Sequence, residues 1–290
     1  MHRIGMAAIV AGLLLGTSVN GWAQESTNKN KFRQLKQELA TPNVYRTASG
    51  APGHEYYQQR ADYDMQLELD DEKQRLYGTE TVTYYNNSPD PLTYLWVQLD
   101  QNRRAKDSDT YKIRTNSISD RMSFGQLNGL YNDFDGGFKI DYVKDAGGRA
   151  LPYTVNQTMM RIDLPTALKP GGSVTFKIKW WYNINDRMKI GGRSGYEYFE
   201  EDDNYLYTIA QFFPRMAVYN EVEGWQNKQF LGRGEFALVF GNYKVSLTVP
   251  ADHVVAATGV LQNPRDVLTA AQRTRMDRAR AADKPVLIVT

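Results

Sequence analysis

The stretch YDMQLEL, Tyr63 to Leu69, alternates without a break. Tyr63, Met65, Leu67 and Leu69 fall on one face and Asp64, Gln66 and Glu68 on the other, the period of a half-buried strand. DDEK (Asp70 to Lys73) supplies a turn. RLYGTETVTYYNN (Arg75 to Asn87) then gives a second strand rich in Thr and Tyr, so the two predict a hairpin. SPDP (Ser88 to Pro91) is the next turn, and LTYLWVQL (Leu92 to Leu99) a third, more continuously apolar strand.

The same pattern continues to the end of the chain. Residues 101–137 are polar and Gly-punctuated and read as a long surface excursion. FKIDYVKDAGGRALPYTVN predicts a hairpin over Ala146-Gly147-Gly148, and TMMRIDLP a strand. LKPGGSVTFKIKWWYNI predicts a turn at Pro170-Gly171-Gly172, then a strand with Val174, Phe176, Ile178 and Trp180 on one face. After an irregular Gly-rich stretch (Gly191 to Gly195) comes NYLYTIAQFFPRMAVYN. EFALVFGNYKVSLTVP and HVVAATGVLQN follow, with three further strands between them. With about ten strands and almost no helix, the expected fold is all-β, an antiparallel β-saddle or sandwich. One surface helix is expected as an insertion near the C-terminus, Arg265 to Ala282, where Val267, Ala270, Ala271 and Thr274 recur at helical spacing. KPVLIVT reads as a final apolar strand, and the chain reads as cut at its end.

Composition narrows the function. The chain has 290 residues and no Cys, which excludes a disulfide scaffold and a thiol nucleophile. A net charge of +2 without a basic run gives no field for nucleic acid. Residues 1–23 read as a signal peptide: His2 and Arg3, an apolar run from Met6 to about Leu15, and Gly21-Trp22-Ala23 before Gln24. The run is short for a bilayer span, so an exported protein, periplasmic or secreted, is expected, with no integral membrane span; a retained anchor is the rival. Residues 24–55 read as a polar tether with one helical candidate, Lys31 to Leu39. Residues 56–290 form the β-domain.

GHEYYQQ, Gly53 to Gln59, holds the first four letters of the zinc helix motif H-E-x-x-H, but Gln58 stands where the second His belongs. Gly50, Pro52 and Gly53 break helices, and the chain has only His2, His54 and His253. His54 therefore reads as a polar residue leading into a strand. Glu200-Glu201-Asp202-Asp203 reads as a solvated loop rather than a calcium site, because four adjacent carboxylates cannot all face one ion. Gly191 to Gly195 lacks the strand-to-helix frame of a phosphate loop. Trp180-Trp181 and Phe212-Phe213 read as paired core and surface aromatics.

YTIAQFFPRMAVYNEVEGW (Tyr207 to Trp225) and GEFALVFGNYKVSLTVPADHVVAATGVLQNP (Gly234 to Pro264) closely resemble the amino-terminal domain of the aminopeptidase N-like zinc metallopeptidases, the gluzincin aminopeptidase family. That family also includes the bifunctional leukotriene hydrolase. Ala61 to Asn102 resembles the first strands of the same domain, and the likeness runs from about Tyr56 to Thr290. It implies a β-saddle that packs in cis on a thermolysin-like catalytic domain. That domain carries G-x-M-E-N and H-E-x-x-H, neither of which occurs here. Zinc is then bound by the missing domain and not by this chain, and the chain alone is expected to be inert.

The resemblance implies one site residue. Gln211 falls where the family places a Gln or Glu that holds the free α-amino group of a peptide substrate. An amide oxygen accepts one ammonium N–H without burying a net charge. The family's acidic pair is replaced by Asn220-Glu221, so an acidic contact rests on Glu221 alone. The alternative is a non-catalytic exported β-sandwich module that binds peptide or carbohydrate through exposed aromatics.

Overall fold

The structure is a computed structural model that describes residues 42–113, 120–128, 133–232, 234 and 236–289. The leader and the helical candidate Lys31 to Leu39 lie outside the described residues. The chain divides into two compact units, residues 1–250 and 251–290.

In the first unit the strands run β1 (Arg60–Asp70), β2 (Arg75–Tyr85), β3 (Leu92–Gln98), β4 (Lys139–Asp145), β5 (Tyr153–Asn156), β6 (Met159–Leu168) and β7 (Ser173–Asn183). They continue as β8 (Gly195–Phe199), β9 (Asn204–Thr208), β10 (Arg215–Met216), β11 (Tyr219–Asn220), β12 (Gly224–Trp225) and β13 (Tyr243–Thr248). Short helices α1 (Asp109–Lys112), α2 (Phe124–Asn128) and α3 (Arg187–Ile190) interrupt them. One sheet has the order β13-β1-β2-β7-β4 and a second β10-β3-β6-β5. A single apolar core takes side chains from both: Tyr63, Met65, Val82, Phe176, Ile178 and Trp180 from the first, and Leu95, Val97, Met160, Ile162 and Met216 from the second. The molecule is thus mostly β with antiparallel sheets, as the alternation predicts.

The β1–β2 hairpin pairs Arg60 with Tyr85 through to Asp70 with Arg75. Its turn is fixed by Asp70, which accepts from the backbone N–H of Lys73 at 2.9 Å and from Lys73 Nζ at 2.8 Å. On β7, Phe176, Ile178 and Trp180 are buried, and Trp181 lies on the opposite face under the guanidinium of Arg75, 4.5 Å from the ring centroid. The corner between β2 and β3 is tied by the buried Asn86, whose Nδ2 donates to Asp90 O (2.7 Å) and Leu168 O (3.2 Å).

Four expectations are corrected. The 101–137 segment is not wholly a surface excursion: Asp100–Arg104 forms a buried 3-10 turn, with Gln101, Asn102 and Arg104 inside. The AGG turn is present, but Tyr153–Asn156 crosses to the second sheet and pairs with β6. Polarity and turn signals mark a reversal but do not say which sheet receives the return strand. Among the described residues of 234–263 there is one strand rather than three, and β13 joins β1 in parallel. KPVLIVT holds no strand over residues 284–289, since an apolar run becomes a strand only beside an edge that accepts its hydrogen bonds.

The second unit contains α4 (Pro264–Val267) and α5 (Ala270–Arg280), neither with a buried residue. The single helix expected here is split at Leu268, and Thr269 starts α5 with a capping box closed by Gln272.

Candidate functional site

Gln211 lies in the connection between β9 and β10, half-buried, with φ +52°. A non-glycine residue in the left-handed region costs roughly 1–2 kcal/mol, so the surroundings must hold it there. Two residues of the buried 3-10 turn do so. The side-chain amide of Gln101 donates to Gln211 O at 2.9 Å and to Ala210 O at 3.3 Å. At the other end of the segment, Asp100 faces Arg215, with Nε to Oδ2 at 2.7 Å and both side chains largely out of water. The pair is close but out of hydrogen-bonding alignment, and among the described residues Asp100 Oδ1 has no hydrogen-bond partner. Burial pushes the Asp100 carboxyl up, while the Arg215 charge pulls it down.

Aromatic packing closes the segment onto the core. Phe213 meets the ring of Tyr63 edge-on, centroids 5.4 Å apart, and lies tilted at 59° against Phe212, centroids 5.0 Å apart. The Tyr63 hydroxyl accepts from Met216 N at 2.9 Å, and Ala217 N donates to Trp96 O at 2.9 Å. Both phenylalanines are half-buried against the core, not one buried and one exposed.

Glu221, just after β11, has a side chain only 4% exposed. Its Oε1 is engaged by Nε of Arg46, which comes from the segment expected to be a tether. Its Oε2 is buried and has no hydrogen-bond partner among the described residues. Beside it, Tyr219 donates to Asp90 Oδ2 at 2.7 Å, and burial pushes the phenol of Tyr57 far up. Gln211 and Glu221 are therefore held by separate networks, one from the 3-10 turn and one from Arg46.

The remaining candidates fall into place as side chains or loops. His54 is exposed in a turn, 3.9 Å from Glu55. Glu200 to Asp203 are all exposed, and Asp203 accepts from the Tyr198 hydroxyl at 2.8 Å. The Gly191–Gly195 loop passes over the guanidinium of Arg104. A Cβ at Gly192 would sit 2.8 Å from Arg104 Nη2. Gln101 and Arg104 escaped the sequence reading because LDQNRR looks like a solvated polar run. The glycines of 191–195 were the one signal that a bulky group lies beneath.

Among the described residues, no group of three or more His, Asp or Glu could hold a metal ion, so this set does not fit zinc. No described helix is long and apolar enough to cross a membrane.

No family model matches the chain, and no curated protein matches it. Solved structures do. The M1 zinc metallopeptidase of Deinococcus radiodurans, as a mutant bound to a Tyr-Ser-Ala substrate, is similar at 14% identity and TM-score 0.37 over 73% of this chain and 37% of that one. The same enzyme without the mutation gives 13% identity and TM-score 0.37 over 70% and 35%. A two-domain M1 zinc metallopeptidase mutant bound to L-tryptophan gives 14% and 0.37 over 72% and 37%. The chain thus spans little more than a third of the length of these structures.

Proposed function

We propose that this chain is the substrate-registering β-domain of an exported aminopeptidase-type zinc metallopeptidase, in which Gln211 accepts a hydrogen bond from the free α-ammonium of a peptide. The zinc belongs to a separate catalytic domain, and no step runs through a metal on this chain. The observation that carries the reading is the left-handed backbone at Gln211, fastened by Gln101. Strain held in place by buried partners is characteristic of ligand-positioning residues. The sequence blocks Tyr207 to Trp225 and Gly234 to Pro264 supply the reaction class.

The test is equilibrium binding of a tripeptide with a free amino terminus against the same peptide N-acetylated. The free peptide binds at least tenfold tighter, and Gln211→Ala removes most of the difference. Equal affinities would remove the amine-registering role.

A second reading is favoured by the β8–β9 hairpin. Tyr198 and Tyr205 are exposed, with ring centroids 4.9 Å apart, and Phe199 and Leu206 are exposed beside them. A non-catalytic module binding peptide or carbohydrate would use this surface, and its affinity would fall in a Tyr198→Ala/Tyr205→Ala variant while Gln211→Ala left it unchanged.

A further inference from the structure

Arg104 is almost wholly buried yet among the described residues it is paired with no carboxylate: the partners of its guanidinium there are neutral oxygens. Nη1 donates to Gln101 Oε1 at 2.8 Å, and Nη2 to the backbone carbonyl of Ser194 at 3.4 Å. Burial and the neighbouring Arg103 pull it down to about 10. A buried charge without a counter-ion is costly, and a fold that only needed filling would use an apolar side chain here.

The arrangement makes sense through Gln101. A guanidinium can only donate, so it fixes Gln101 with Oε1 toward Arg104. The side-chain amide N–H groups are thereby aimed the opposite way, at the carbonyls of Ala210 and Gln211. Ser194 completes the ring, its carbonyl accepting from Arg104 and its hydroxyl accepting from Ala210 N at 3.4 Å. Gly192 admits the guanidinium because a Cβ there would collide with it.

We infer that Arg104 and Gln101 are positioning residues that lock Gln211 in its left-handed conformation and so aim its side chain at the substrate amine. The aiming rests on the amine-registering function proposed above; the locking does not.

The discriminating variant is Gln101→Glu. Its carboxylate accepts from Arg104 more strongly than the amide does, so the buried charge gains a counter-ion and the fold is kept. It has no N–H to give, and it faces two carbonyls. The readout is nuclear magnetic resonance of the whole chain. A left-handed residue shows a strong intraresidue Hα–HN cross-peak, which Gln211 gives in the unmodified protein and loses in Gln101→Glu, while amide shifts in β1, β2 and β7 stay in place. Gln101→Met, which removes the donors without adding charge, gives the same loss. Retention of the cross-peak in both variants overturns the inference. If the cross-peak is lost as expected but the unmodified chain does not prefer a free-amine peptide, the lock stands and the amine contact falls. If the preference exists and survives both variants, the lock is irrelevant to binding and the positioning role is overturned.

Discussion

The indole of Trp180 fills the space where Gly78 has no side chain: a Cβ at Gly78 would meet Trp180 Cζ2 at 2.2 Å. The two residues are register partners on β2 and β7. Glycine in the middle of a strand weakens it in isolation, so its place here answers to the Trp. Gly78→Ala is expected to cost about 1–3 kcal/mol in urea unfolding through overpacking. Combining it with Trp180→Phe is expected to recover part of that loss. Simple addition of the two losses would contradict the contact.

Glu80 lies between Gly78 and Val82 on the same buried face, and among the described residues neither carboxylate oxygen has a hydrogen-bond partner. Burial raises its carboxyl well above the usual range. The folded chain then keeps a proton that the unfolded chain sheds near the ordinary value of about 4.3. Stability is expected to fall as pH rises from that value toward the raised one, by up to ~1.4 kcal/mol per unit. Glu80→Gln is expected to flatten this slope in urea titrations between pH 5 and 8. An unchanged slope would place the titration elsewhere.

Arg46 and Glu221 join the segment before β1 to the loop after β11. Arg46→Met leaves the buried carboxylate alone and is expected to cost about 1–3 kcal/mol, less than a fully buried pair because Arg46 is partly in water. Adding Glu221→Gln is expected to return much of this. The double-mutant cycle by urea unfolding measures the coupling, and none would mean the pair is ornamental to stability.

The alternation of Tyr63 to Leu69 and the inward set of Phe176, Ile178 and Trp180 were legible because period two is a local property of the chain. The surroundings of the candidate site were legible only in part. Gln211 could be named from the surrounding block, but its left-handed backbone depends on Gln101, 110 residues away in sequence. No local pattern distinguishes a polar side chain that is buried and satisfied from one in water. The same limit explains LDQNRR read as surface and KPVLIVT read as strand: the first depends on which partners arrive, the second on whether an edge arrives.

Gln211→Gly separates stability from binding. Glycine adopts positive φ without the Cβ penalty, so the variant is expected to gain about 1 kcal/mol in unfolding free energy. The same substitution removes the amide oxygen, and the preference for a free amino terminus is expected to disappear. A loss of stability would mean that the side chain itself, not the backbone, is what the fold needs at this position.

The most direct measurement follows the side-chain amide resonance of Gln211 while the chain is titrated with a free-amine tripeptide, and again with its N-acetylated form. A saturable shift with the first and none with the second is the result expected if Gln211 registers the substrate amine. Identical responses, or none with either, would contradict it.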